Sequence, residues 1–527
     1  MNAKLKHLHL SWLQVLIIVV LVLGIFFRFV NLDRKVYWID ETATSIRISG
    51  YTWEELNAEL DSKASAGRVI GVKDILEKYQ SPHPEKSVID TIKGLAIDEP
   101  QHPPLYYAIA RFWVDWFGNS VAVKRSLSAI FSLLVFPCAY WLCVELFESS
   151  FVAWVAVAIL AVSPFHLLYA QQARQYSLWT ATILLSCAAL LRAMRLQTKS
   201  SWGIYAASVA LGFYTFLLSA LVTLGHGIYL VILERFRWTK TFKNYLLASL
   251  AGLVAFAPWI LIVIANYQQI QTTTGHTNKR VAFFSLASTW VGNISRLFID
   301  LDFNGDSLNS VIPLIPIILF CIFLFGYSIY FLCKTTPPRV WLFVVILTGL
   351  TAIAFILPDL IIGGRRSTAA RYLIPSFLGI QLAVSYLLAT KINPVSLTTK
   401  RKTLWKIIAV GVISGGVLSC AVSLQAEAWW HKYHSVNNPT IAKIINQSPS
   451  PLVVMDRKNL ELFSLSYLLD PKVQLLLIDE PKTPKIPGNF SDVFLFNPSK
   501  SLRNRLAKEY KIEPADKPGS LWQLNKK

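Results

Sequence analysis

The chain has 527 residues, of which 54% are hydrophobic and only 16% charged, which excludes an ordinary soluble domain. A mean hydropathy of +0.45 and repeated apolar runs near 20 residues make it a polytopic membrane protein. The formal charge of +20 gathers in short links between apolar runs, a pattern that encodes topology, so no nucleic-acid partner is expected.

The first apolar run, Ser11 to Val30, is long enough to cross a bilayer core and follows the basic Lys4 and Lys6. It lacks the small-residue cleavage site of a signal peptide and is expected to remain as an anchor. Just beyond it stands Tyr37-Trp38-Ile39-Asp40-Glu41, two adjacent carboxylates at an aqueous boundary. The segment 31–120 is polar and acidic, with Glu54, Glu55, Glu59, Asp61, Asp98 and Glu99. Within it, Glu41 to Ser49 and Trp53 to Leu60 read as short helices along the membrane interface. Tyr37, Trp38, Trp53, Tyr106, Tyr107, Trp113 and Trp116 are expected to form an aromatic belt there. The segment closes on His102-Pro103-Pro104-Leu105-Tyr106-Tyr107, where proline suits the start of an amphipathic helix, Leu105 to Phe117.

Ten further spans are predicted, at 121–147, 151–169, 177–195, 202–217, 219–234, 244–264, 311–333, 339–357, 372–390 and 404–423, making about eleven transmembrane helices. The links Arg192 to Lys199, Glu234 to Lys243, Lys334 to Arg339 and Lys391 to Lys402 are rich in Lys and Arg. They fall on the N-terminal side if the spans alternate, which makes that side cytoplasmic and the protein a multi-pass plasma-membrane protein. The segments 31–120, 265–310, 358–371 and 424–527 then face outward. In the tail, Pro451 to Met455, Val473 to Ile478 and Val493 to Phe496 read as buried strands. Helical stretches at Asn459 to Leu469 and Ser501 to Tyr510 alternate with them. The expected organisation is a membrane domain, 1–423, and a small extracytoplasmic α/β domain, 424–527. The six cysteines lie within or at the ends of apolar runs, without a CxxC pair, and read as buried thiols.

Several polar residues carry chemistry in this pattern. Asp40 can cap a helix beginning at Glu41, and it can also act as a carboxylate base; the two roles are compatible. Asp98, Glu99 and His102 are the candidate ligands for a divalent cation, Mg²⁺ or Mn²⁺, although no spacing signature joins them. Arg174, in the outer turn Tyr169 to Tyr176, and Arg365, Arg366 and Arg371, in the outer segment 358–371, run against the topological bias. Arginine suits phosphate because its planar fork donates parallel hydrogen bonds and stays charged; headgroup contact or pairing with Asp359 is the plainer use. Asp302-Phe-Asn-Gly-Asp306 lacks the full calcium-loop pattern and reads as a solvated turn.

Taken together, the chain resembles the membrane-embedded GT-C glycosyltransferases, in the group of protein O-mannosyltransferases and the lipid A aminoarabinose transferase. The resemblance rests on Asp40-Glu41, on His102 to Tyr107, on Ala173-Arg174-Gln175-Tyr176-Ser177, and on Arg371-Tyr372-Leu373-Ile374-Pro375, over about residues 10–390. It implies an inverting transfer from a polyprenyl-phosphate sugar donor to a lipid, glycan or protein acceptor at the outer face of the membrane lipids. Asp40 with Glu41 beside it then takes the catalytic position, and His102, Arg174, Tyr176, Arg365, Arg371 and Tyr372 the substrate-binding ones. Some relatives place an Asp after the third span, where this chain has Gln171, Gln172, Arg174 and Gln175. The rival readings are a transporter or flippase of lipid-linked sugars, which needs charged or broken spans at mid-membrane, and an oligosaccharide ligase or polymerase.

Overall fold

A computed structural model describes residues 12–65, 68–302, 312–392, 399–456, 460–478, 486–516 and 519–527. Lys4, Lys6 and the Asp302–Asp306 fragment beyond Asp302 lie outside these residues. The chain divides into two units: one of 1–30, 101–103 and 128–424, the other of 31–100, 104–127 and 425–527.

Every predicted span falls on one helix or on two successive helices. Among the described residues, six helices are long and apolar enough to cross a membrane, or eight if each of two bent pairs is one span. The apolar helices Gln14–Phe29 and Ser219–Leu233 are shorter, and Lys199–Thr215 occupies the remaining predicted position. Both bends have a chemical cause. Pro164 opens the second half of the pair Ser150–Ala161 and Pro164–Ala170, bent by 61°, and Pro258 lies at the start of the second half of Lys240–Ala255 and Ala257–Ala265, bent by 63°. Proline removes a helical donor and clashes with the preceding turn.

Close helix approach in this unit uses missing side chains. A Cβ on Gly24 would lie 2.6 Å from the carbonyl oxygen of Ala161. Arg28, one turn on, donates to Gly24 O at 2.7 Å and Ala161 O at 2.6 Å, so a buried cation ties the first span to the third through backbone carbonyls. The basic links are tied to one end of the bundle. Arg195 pairs with Glu145 at 2.8 Å, Arg339 with Glu148 at 2.6 Å, and Gln197 donates to Thr241 Oγ1 at 3.0 Å.

The second unit is built on a six-stranded sheet. Its strands are β1 (Val69–Gly71), β2 (Pro451–Asp456), β3 (Gln474–Ile478), β4 (Asp492–Phe496), β5 (Tyr510–Pro514) and β6 (Leu521–Lys526), in the order β1-β3-β2-β4-β6-β5. The β3–β2 and β2–β4 pairs are parallel and the others antiparallel, so the partly parallel sheet expected of the tail is present. Continuous apolar sequence in the central strands fits burial on both faces. Val453, Met455, Leu475 and Leu477 pack on one side, and Leu452, Val454, Leu476 and Leu495 on the other. The edge strand β1 comes from the first outer segment: Val69 pairs with Leu476 and Gly71 with Gln474. The segment 31–100 thus folds with the tail, whereas the sequence boundary at 423 assigned it to the membrane domain.

Burial also changes the reading of that segment. Helix Ile39–Ser49 buries eight of its residues and ends at Gly50, whose φ of +92° closes it in the left-handed region. It packs into the core of this unit. Tyr37, Trp38, Tyr106 and Tyr107 are likewise buried, and of the expected belt only Trp116 is largely exposed, at 76%. Single-sequence pattern cannot separate an amphipathic ring facing lipid from one facing a protein core.

Candidate active site

In the α/β unit, the segment that carries Asp40 is held by two buried cations. Arg125 donates to the carbonyls of Leu32 (2.6 Å), Lys35 (2.8 Å) and Val36 (2.9 Å), and its remaining donors reach both oxygens of Glu41 at 2.7 and 2.8 Å. Lys432 donates to Val36 O at 2.8 Å and Glu41 Oε2 at 2.6 Å. Ser464 fixes Tyr37 O at 2.7 Å. Burial alone would raise the Glu41 pKa, but the charges of Arg125 and Lys432 and their hydrogen bonds outweigh it and hold the carboxyl at about 2. Glu41 is therefore an internal anion that anchors the start of the helix. Asp40, its neighbour, is half-buried.

The helix begins at Ile39, with Trp38 in the cap position and no side-chain cap. Asp40 is thus in the first turn, where a carboxylate favours the positive end of the helix dipole, and is not the cap expected from sequence. Of the candidate cation ligands, Asp98 hydrogen-bonds buried Arg47 and accepts from Trp53 N at 2.8 Å. Glu99 closes the helix Val88–Asp98. Among the described residues no group of three or more His, Cys, Asp or Glu is placed to hold a metal ion. Asp98, Glu99 and His102 do not fit as a divalent-cation site: Asp98 is committed to a guanidinium, and His102 to the contacts described next.

In the membrane unit, the turn after the third span gathers most of the other candidates. Gln171 donates to the carbonyls of Phe27 (2.8 Å) and Val30 (2.9 Å), satisfying the end of the first span. Ser128 Oγ donates to Arg174 O at 3.1 Å. Arg174 is buried, and its Nη2 lies 3.3 Å from His102 Nε2, while Gln175 Nε2 lies 3.2 Å from His102 Nδ1. Because guanidinium only donates, the imidazole accepts at Nε2; Nδ1 then carries the proton, which directs the Gln175 amide oxygen toward it. The His102 ring stacks on Phe216 with centroids 6.4 Å apart. Phe216 also meets Tyr176 at 6.0 Å and Tyr372 at 6.2 Å. The Arg371 guanidinium stands 5.3 Å from the Tyr372 ring and 6.0 Å from that of Tyr176. Two cations and an imidazole thus surround one aromatic cluster.

Residues of the segment 358–371 separate into two groups. Arg366 pairs with Asp359 at 3.0 Å, and Ser367 donates to the same carboxylate through N and Oγ, each at 2.7 Å. Arg365 is half-buried and its backbone N–H donates to Thr277 O at 2.8 Å. Arg371 is the arginine seen against the aromatic cluster, at Tyr176 and Tyr372.

Residues 101–262 match the profile of the family described as dolichyl-phosphate-mannose-protein mannosyltransferase. The fold is similar to that of ArnT from Cupriavidus metallidurans in the apo state, with TM-score 0.56 and 13% identity over 98% of each chain. The family match is confined to that stretch of the chain, and the likeness to ArnT is one of fold. The same ArnT bound to undecaprenyl phosphate gives a TM-score of 0.53 at 13% identity over 97% of each chain. The archaeal oligosaccharyltransferase AglB from Archaeoglobus fulgidus gives 0.47 at 11% identity, over 98% of this chain and 75% of that one. No curated protein sequence matches.

Sequence reasoning missed four residues that the geometry brings forward: Arg125, Lys432, Gln175 and Phe216. Arg125 carried a usable signal, since a charge inside a predicted span, 121–147, asks for a partner. Lys432 and Phe216 carried none, because their partners are distant in sequence.

Proposed function

We propose that this chain is a glycosyltransferase that moves a sugar from a polyprenyl-phosphate donor to a nucleophilic acceptor at the extracytoplasmic face, with inversion and with Asp40 as base. The acceptor hydroxyl or amine attacks the anomeric carbon and forms the new glycosidic bond. The bond from that carbon to the phosphate oxygen breaks and its electron pair leaves with the polyprenyl phosphate. Asp40 receives the acceptor proton. Arg174 and Arg371 hold the phosphate and offset the charge that grows on it as the bond breaks, while His102 and Gln175 fix the Arg174 side chain.

The observation that carries this reading is the convergence of His102, Arg174 and Arg371 on the Phe216 cluster: fixed cations grouped in a bundle whose fold matches ArnT. That ArnT has been seen with undecaprenyl phosphate supports the donor class. No step is routed through a divalent cation.

The test is steady-state transfer from a polyprenyl-phosphate sugar by purified variants. Asp40→Asn keeps shape and removes basicity, and kcat should fall by at least about 10²-fold with the melting temperature retained. Arg371→Lys keeps the charge and loses the two-pronged donor, and should lower kcat about tenfold or more because the phosphate gains charge in the transition state. Wild-type turnover in Asp40→Asn would remove the base, and an unchanged kcat/KM in Arg371→Lys would remove the phosphate clamp.

A further inference from the structure

The α/β unit holds a crevice that the transfer chemistry does not use. Strands β2 and β4 are parallel neighbours, yet the chain leaves their carboxyl ends toward opposite faces. Helix Glu461–Ser466, after β2, packs through Leu462 and Leu465 against Val453 and Met455. Helix Lys500–Leu506, after β4, packs through Leu502 and Leu506 against Leu452 and Val454. Divergent connections of this kind open a cleft beyond the strand ends, the place where open parallel sheets take ligands.

A cavity of about 500 Å³ lies here, lined by Glu461, Asn497, Lys500, Arg503 and Trp522 among others. Its walls are fixed. Asp456, ending β2, accepts from Ser499 N at 2.5 Å and Ser499 Oγ at 3.0 Å. Asn497 sits at φ +39°, its N–H donates to Ser520 O at 2.8 Å, and its side-chain amide donates to Glu461. The Arg503 guanidinium lies 3.6 Å from the centroid of the Trp522 ring, so a long side chain on an exposed helix is held against an aromatic face.

This inventory suits one ligand chemistry. Lys500 and Arg503 answer an oxyanion, Arg503 with a planar fork. Glu461 and Asn497 offer acceptors and donors to hydroxyl groups, and Trp522 an aromatic edge to an apolar ring face. We propose that this crevice binds a sugar phosphate, as a site separate from the transfer chemistry and independent of Asp40 and the arginines of the membrane unit.

The test is equilibrium binding of radiolabelled glucose 6-phosphate to the full chain in detergent micelles. Saturable binding is expected, weakened at least about tenfold by Arg503→Ala and by Lys500→Ala, and unchanged in Asp40→Asn. Arg503 is exposed on its helix, so the variant should keep the native melting temperature, and Arg503→Gln provides a second neutral replacement. Unlabelled glucose should compete at least about tenfold less well than the phosphate ester, and so should inorganic phosphate. Absence of saturable binding, wild-type affinity in both Arg503 variants, or equal competition by inorganic phosphate would overturn the proposal.

Discussion

Asp40 and Glu41 are adjacent carboxylates whose surroundings give them different work. Glu41 is wholly buried between Arg125 and Lys432, and those two cations also bind the carbonyls of the segment leading to Asp40. Glu41→Gln leaves both cations buried without their counter-charge and should cost about 3–5 kcal/mol. The pH dependence has a definite sign. A folded-state pKa near 2, below the unfolded value of about 4.3, gives stability that is complete above that unfolded value and is lost as pH falls through about 2. The gap in unfolding free energy between wild type and Glu41→Gln should therefore narrow as pH falls from about 5 toward 2. Denaturant titrations of the two proteins between those limits check this, and a pH-independent gap would show that the Glu41 charge is not what anchors the helix. The pair was legible in sequence as adjacent carboxylates; the division of labour was not, because Lys432 is remote from Glu41 along the chain.

At the scale of elements, legibility follows the length of the signal. The long apolar helices could be read because a bilayer demands a long apolar run, and β2, β3 and β4 because both their faces are buried. β1 could not: three residues carry no periodicity, and Val69 to Gly71 become a strand only because β3 offers an open edge. The stretch Ser501 to Tyr510 read as one helix, yet the helix stops at Leu506 and Tyr510 already pairs with Lys526 in β5. The turn 171–175 was legible as a cluster of polar residues but not as a cap for the first span, a role that needs the Gln171 contacts to Phe27 and Val30. The β1 pairing makes a direct prediction. Ile70 is 4% exposed, sits opposite Leu475 and belongs to the core that includes Val453 and Leu477. Ile70→Ala should cost about 2–5 kcal/mol locally and speed amide exchange across 474–478 about tenfold or more. Unchanged exchange in those tail residues would mean that the first outer segment does not complete the tail's sheet.

At the scale of the whole molecule, the prediction concerns which way the bundle faces. Charge counts alone favour a cytoplasmic location for the links 192–199, 235–243 and 334–339. Side-chain contacts add an independent reason to group them. Arg195 and Arg339 both pair with acids at the end of the span Val121–Phe147, and Gln197 bonds Thr241 in the next link. Links joined in this way share one end of the bundle, so one measurement orients all three. Ser200 is exposed next to the first of them, and Lys508 is exposed in the tail. In a background where the exposed Cys333 is replaced by Ser, Ser200→Cys and Lys508→Cys would be treated with a membrane-impermeant thiol reagent on intact cells. Lys508→Cys should label at once, and Ser200→Cys only after the membrane is opened. Labelling of Ser200→Cys alone in intact cells would invert the orientation and place the tail, with its crevice, in the cytoplasm.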